Sequence, residues 1–187
     1  MELIIASLRE DTDTVKRLAR ILDSVYTSIT VAILDKPVEP PPGSYDPGRG
    51  QYRSEQVLAA AAGLKEALGV DALLVVAGVD AYADQLNFVF GEALLGLGVA
   101  VVYTPRLRPE YYGLPPNHAI FMTRLLKEAM HELGHAFGLR HCTNRLCVMS
   151  FSNSILEVDL KKPAYCTSCA QELRSRGIIV SEQYVLS

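Results

Sequence analysis

Residues 131–141 read His131-Glu132-Leu133-Gly134-His135-Ala136-Phe137-Gly138-Leu139-Arg140-His141, which puts three of the chain's four histidines within eleven positions. On a helix, His131 and His135 are four residues apart, so both imidazoles leave one face about a turn from each other. Two neutral imidazoles so spaced can share one zinc ion, and Glu132 lies beside that face, where a water on the metal would sit. Gly138 follows three residues after His135. A residue without Cβ can take a left-handed conformation there, end the helix and turn the chain back, which places His141 as the third ligand. Three protein ligands leave the fourth zinc position to water, the arrangement of a catalytic rather than a structural site. A buried helix with core histidines would need neither Glu132 nor Gly138.

A second set of candidate ligands follows at once. The four cysteines, Cys142, Cys147, Cys166 and Cys169, all lie in the last 46 residues, as C-x4-C, eighteen intervening residues, then C-x2-C. Two short pairs can wrap tetrahedrally around one ion and leave no open position. Two disulfides, or four small core residues, are the other readings. The choice turns on compartment. The N-terminus has neither a basic stretch nor a long apolar run and reaches Arg9-Glu10-Asp11 early, so it does not read as a secretion signal. Its longest apolar run, residues 93–102, is about half of what a bilayer requires. A cytoplasmic, soluble, monomeric protein is therefore expected, with two zinc ions per chain, one catalytic and one structural.

Composition adds exclusions. With 187 residues, 49% hydrophobic and 21% charged, the chain suits one folded domain. A net charge of −3, and no basic, aromatic-rich stretch around the cysteines, argue against nucleic acid or an anionic membrane as partner. The partner expected for such a zinc site is a peptide or protein substrate. A zinc-stabilised module that binds peptides with little or no cleavage is the alternative.

The elements that must position these groups can be outlined. Residues 2–7 read as a buried strand, and Asp11 or Thr12 caps a helix through Val15, Leu18, Ala19 and Leu22. Residues 25–34 are apolar and β-branched, which predicts a second strand. Residues 35–53 hold five of the ten prolines and three glycines, and no regular structure is expected there. Ser54–Leu68 predicts a helix, Ala72–Ala77 a buried strand, residues 87–91 a short strand and residues 98–103 a longer one. Strands alternating with helices predict an α/β layer with a mostly parallel twisted sheet. Asn117 can cap the helix, residues 118–137, that carries the histidines. Residues 142–165 show no helical period, and Cys166 opens a short helix over residues 167–176. The chain thus divides into an N-terminal α/β part, 1–137, and an irregular C-terminal part, 138–187, held by zinc, within one catalytic domain, 1–187. His118 reads as a surface residue near the helix start. Arg106, Arg108, Tyr111 and Tyr112 read as solvated loop residues, and Asp80 and Asp84 as an ordinary turn.

These residues together resemble the archaemetzincins, a branch of the metzincin zinc peptidases. The signature HExxHxxGxxH is met by His131, Glu132, His135, Gly138 and His141, and it continues as C-x4-C-x-M and C-x-x-C through Cys142, Cys147, Met149, Cys166 and Cys169. Arg49-Gly50-Gln51-Tyr52 and residues 87–93 extend the likeness upstream. The resemblance implies a metzincin-like fold and a zinc metallopeptidase with Glu132 as general base. It implies that Met149 forms an apolar floor beneath the histidines. It further implies that Asn87, Phe88, Val89, Phe90 and Gly91 form the edge strand along which an extended peptide binds. From the residues alone, Met149 could be any core methionine, and Phe88 and Phe90 any buried aromatics. Some metzincins carry a tyrosine two residues after that methionine, where this chain has Phe151.

Overall fold

A computed structural model describes residues 1–186. Five strands form the central sheet: β1 (Glu2–Leu8), β2 (Thr30–Ile33), β5 (Ala72–Ala77), β7 (Gly91–Leu94) and β8 (Val99–Tyr103). Their order is β2-β1-β5-β8-β7, parallel throughout except for β7, which runs antiparallel to β8 at the edge. Helices α1 (Thr12–Val25) and α2 (Ser54–Leu68) make the crossovers. Parallel strands covered on both faces must be apolar at every position, and all six residues of β5 are buried. Alternate residues serve opposite layers: Ala72, Leu74 and Val76 face α1 and the long helix α3 (His118–Ala136), whereas Leu73, Val75 and Ala77 face α2.

Helix α1 begins where Asp11 accepts a hydrogen bond from the Thr14 amide at 2.9 Å. It then runs on through Val25, so the strand expected over residues 25–34 is confined to Thr30–Ile33. Val25 belongs to the helical stripe Val15, Leu18, Leu22, all buried under the sheet, and this spacing outweighs its β-branching. The Pro-rich segment also holds more order than expected. Tyr45–Asp46 (β3) and Gln51–Arg53 (β4) pair around a turn in which Asp46 Oδ1 accepts from the Gly48 amide at 2.9 Å. Ala81–Tyr82 (β6) completes that small sheet alongside β4.

Helix α3 is buried along nearly its whole length, from Phe121 to Ala136. Asn117 caps its start by accepting from the Ile120 amide at 3.0 Å. At its end the Leu139 amide bonds back to Gly134 O, and the Gly138 amide to His135 O, both at 2.8 Å, with Gly138 at φ +99°. Two carbonyls of the last turn are also taken by the β7–β8 hairpin: Gly96 N–H reaches His135 O and Gly98 N–H reaches Ala136 O, each at 2.9 Å. These bonds tether the edge of the sheet to the helix that carries the histidines.

Beyond residue 141 the chain holds two more helices, α4 (Ile155–Leu160) and α5 (Thr167–Ser175). The first falls where no helix was expected. Its signal is a capping box: Ser154 Oγ lies 3.4 Å from the Glu157 amide, and the Glu157 carboxylate accepts from the Asn153 amide at 2.7 Å. Val148, Met149, Val158, Tyr165, Leu173 and Ile178 share one continuous apolar core with α1 and α3. No helix among the described residues is long and apolar enough to cross a membrane.

Candidate active site and thiolate cluster

The left-handed turn at Gly138 brings His141 back over α3, so that one nitrogen from each of His131, His135 and His141 lies within 4.8 Å of the others. His131 Nδ1 bonds to Val148 O and His135 Nδ1 to Leu139 O, both at 2.8 Å. A carbonyl only accepts, so each Nδ1 must carry the ring proton. Burial pushes the pKa of His131 well below its ordinary value, aided by Lys161 and His135, and burial lowers those of His135 and His141 as well. Neutral rings with Nδ1 protonated present bare lone pairs at Nε2. Those of His131 and His135 stand only 3.1 Å apart. Two acceptors that close repel unless a cation lies between them, and tetrahedral zinc would separate its nitrogen ligands by about 3.4 Å.

Met149 is fully buried against the helix that carries His131 and His135. A Cβ on Gly134 would sit 2.3 Å from Met149 Sδ, so glycine within the HExxH stretch lets the sulfur approach the helix backbone. Glu132 is buried beside the rings, and its pKa is raised well above the ordinary carboxylate value by burial and then by Glu128. Gly91 of β7 abuts it: a Cβ there would lie 2.5–2.8 Å from the Glu132 carboxyl group and its Cγ.

The segment expected as an edge strand over residues 87–91 needs correction. The strand is Gly91–Leu94, and of the expected residues only Gly91 belongs to it. The register is set by pairing with β8, Gly91 opposite Val102, and by the hairpin turn that caps α3. Asn87, Phe88, Val89 and Phe90 form an irregular approach held by Val89 N–H to Ala81 O at 3.0 Å and Tyr103 N–H to Phe90 O at 2.8 Å. Phe88, Val89, Phe90 and Gly91 do line the cleft before the histidines. Asn87 is exposed, and its carbonyl accepts from Gln51 Nε2 at 3.0 Å. Arg106 is not a solvated loop residue, and Asp80 does more than make a turn. The two form a bidentate pair at 2.7 and 2.8 Å, with the guanidinium stacked 4.4 Å from the Phe88 ring centroid. Sequence gave no local sign of that contact, because the partners are 26 residues apart. His118 is exposed near the start of α3 as expected.

The four cysteines are free of disulfides and converge, with their sulfurs within 4.8 Å of one another. Cys142 Sγ and Cys166 Sγ are 3.7 Å apart, close to the sulfur spacing of about 3.8 Å that tetrahedral zinc imposes. Hydrogen bonding from Cys169, together with the Cys166 amide 3.2 Å away, lowers the pKa of Cys147 to about 5. These contacts favour the thiolate form of Cys147, the form that binds a metal cation. The cluster and the histidines are joined through the backbone: Cys142 follows His141, its amide bonds to Met149 O at 2.9 Å, and Cys147 precedes the Val148 carbonyl that orients His131.

The model of Peptidase family M54 matches residues 9–175. The chain belongs to this family. M54 members are zinc metallopeptidases, so the activity class follows from membership. The archaemetzincin of Methanocaldococcus jannaschii is 51% identical over 138 residues, 74% of each chain. That of Pyrococcus furiosus is 40% identical over 167 residues, 88% of this chain and 87% of its own. The crystal structure of the Methanopyrus kandleri archaemetzincin, 36% identical, superposes with a TM-score of 0.80 over 94% of each chain. The mixed α/β fold expected from sequence is thus the fold of the M54 peptidases. Within this M54 chain, Gly134→Ala is expected to cost about 1–3 kcal/mol by forcing Met149 off the helix, a loss readable as a lower thermal midpoint. An unchanged midpoint would show that the sulfur can move freely.

Proposed function

We propose that this peptidase hydrolyses peptide bonds at a zinc ion held by Nε2 of His131, His135 and His141, with Glu132 as general base. The observation that carries the reading is the pair of bare Nε2 atoms 3.1 Å apart, an arrangement that a bound cation relieves. Zinc at this position supplies Lewis acidity toward a water and a scissile carbonyl. Glu132 takes the proton from the attacking water and passes it to the leaving amine. Its burial favours this, because a carboxylate out of water holds a captured proton more firmly than a solvated one. The outer edge of β7 is unpaired in the sheet, and an extended substrate lies along it by strand addition, its side chains between Phe88 and Phe151. Cys142, Cys147, Cys166 and Cys169 hold a second, structural zinc, making two per chain, and Met149 supports the histidines from below.

Gly91 is part of this reading. Gly91→Ala is expected to push the Glu132 carboxyl out of position and lower kcat/KM about tenfold or more while zinc content stays unchanged. Metal analysis beside steady-state kinetics checks it, and an unchanged rate would mean that β7 yields rather than Glu132. The activity itself is tested with a mixed peptide library and the zinc-loaded chain. Cleavage should stop on adding a chelator and return with zinc. A zinc-replete protein that cleaves no peptide in the library would favour a peptide-binding module, a reading that draws on Phe151, whose ring packs 5.1 Å from His141 and carries no phenol.

A further inference from the structure

The central sheet has two edges, β7 beside the cleft and β2 on the opposite side. Strand β2 reads Thr-Val-Ala-Ile and carries neither charge nor proline, two devices that commonly blunt an exposed edge. The Thr30 amide donates to Met1 O at 3.0 Å and the Leu34 amide to Ile5 O at 2.9 Å. Alternate residues of a parallel strand bond to the same neighbour, so Thr30, Ala32 and Leu34 face β1. Val31 and Ile33 turn their N–H and C=O outward, and these groups have no hydrogen-bond partner among the described residues. The segment over residues 179–181 comes near but stops short of β2. It bonds instead to Val25 O, the Thr27 amide and Ser28 Oγ, at 2.8, 2.9 and 2.8 Å.

Helix α1 packs on β1 and β2 and shapes the space beside this edge. Lys16, Ala19, Arg20 and Asp23 fall on one helical stripe and border a groove with Val31 and Ile33. Lys16, Arg20 and Asp23 are exposed, and none forms an ion pair among the described residues. The stripe is basic towards its start and acidic at its end, with the small Ala19 between.

We propose that β2 binds a second copy of this chain, edge to edge and antiparallel about a two-fold axis at Ala32, so that the two five-stranded sheets become one. Val31 of each copy then faces Ile33 of the other and exchanges both N–H···O bonds with it, which satisfies every outward group of β2. Ala32 meets its own counterpart at the intervening position, where Cα atoms approach to about 4.5 Å and a methyl fits. The two α1 helices run antiparallel on the same face of the joined sheet. Strand spacing of about 4.8 Å sets their axes about 10 Å apart, a helix-packing distance. Lys16 of each copy then stands opposite Asp23 of the other. An unrelated strand could fill the edge, but this charge pattern complements itself under two-fold rotation, and that selects a second copy. The cleft stays open at the two far ends of the joined sheet, so the inference is independent of the peptidase reading.

The test is sedimentation equilibrium of the zinc-loaded full chain, with amide hydrogen exchange at high and low protein concentration. The wild type should reach twice the chain mass of 20.5 kDa as concentration rises. Lys16→Glu should weaken the dimer about tenfold, and Lys16→Glu combined with Asp23→Lys should restore it to within about threefold. Both positions are exposed, so circular dichroism should show the fold unchanged. The Val31 and Ile33 amides should gain protection with concentration, while those of β7 should not. A chain that stays monomeric at the highest concentration overturns the proposal. So does a dimer that protects β7 instead of β2, or one that Lys16→Glu leaves intact or the charge exchange fails to restore.

Discussion

Glu132→Gln is expected to bind zinc as the wild type does while kcat/KM for peptide hydrolysis falls by about 10²–10⁴-fold, the usual share of a positioned general base. The substitution keeps the shape of the side chain and removes only its ability to accept a proton. Shape matters here, because the carboxyl group fits against Gly91 with no room for a methyl between them. No metal contact is lost, since the proposed ligands are the histidines. Repulsion from Glu128 and Glu92 is relieved, so the variant should also fold at least as well as the wild type. Zinc content by mass spectrometry and steady-state rates on one library-derived peptide check both halves. A variant with full zinc and full activity would assign the proton to another group.

Cys166→Ser is expected to damage the fold more than any single change at the histidines. Structural zinc sites contribute about 10–16 kcal/mol of apparent binding free energy in small metal-folded domains. Weakening one should cost at least about 4 kcal/mol, a fall in thermal midpoint of roughly 8–16 °C for a domain of this size. The damage should spread to the histidines, because the backbone of the cluster holds them. Without the cluster, His141 loses the anchor of the next residue, and His131 loses the fixed Val148 carbonyl 2.8 Å from its Nδ1. His135→Ala should show the opposite pattern, with a nearly unchanged midpoint and loss of one of two zinc ions. A chelator should strip the histidine-bound zinc first, since an open position exchanges with water more readily than a closed thiolate shell. Metal analysis that finds one zinc in the fully loaded wild type would contradict this division.

How much of this was legible in the sequence depends on how local each signal is. The histidine site was readable because its parts lie within eleven residues and the helix and the Gly138 turn alone decide their geometry. The four cysteines converged as their spacing suggested, and the crossover strands β1, β5 and β8 were plain from unbroken apolar runs. Val25 ends a helix rather than starting a strand, because a β-branched residue at the end of a helical stripe carries both signals and the stripe prevails. The edge strand was placed too early because its register comes from β8 and from the turn that caps α3, neither visible in residues 87–91. The capping box at Ser154 and Glu157 is a local signal, but the short helix it opens is masked by the polar residues around it. Glu128 with Lys161, 33 positions apart, and Arg106 with Asp80 could not be read from spacing, because only the folded chain brings those charges together.

The most direct measurement is anomalous diffraction at the zinc edge from crystals of the zinc-loaded protein. The account predicts one peak about 2.0–2.1 Å from Nε2 of each of His131, His135 and His141, with solvent in the fourth position beside Glu132. A second peak should lie among the four sulfurs at about 2.3 Å. A fully loaded crystal with no peak between the three imidazoles, or with a fourth protein ligand closing that site, would contradict it.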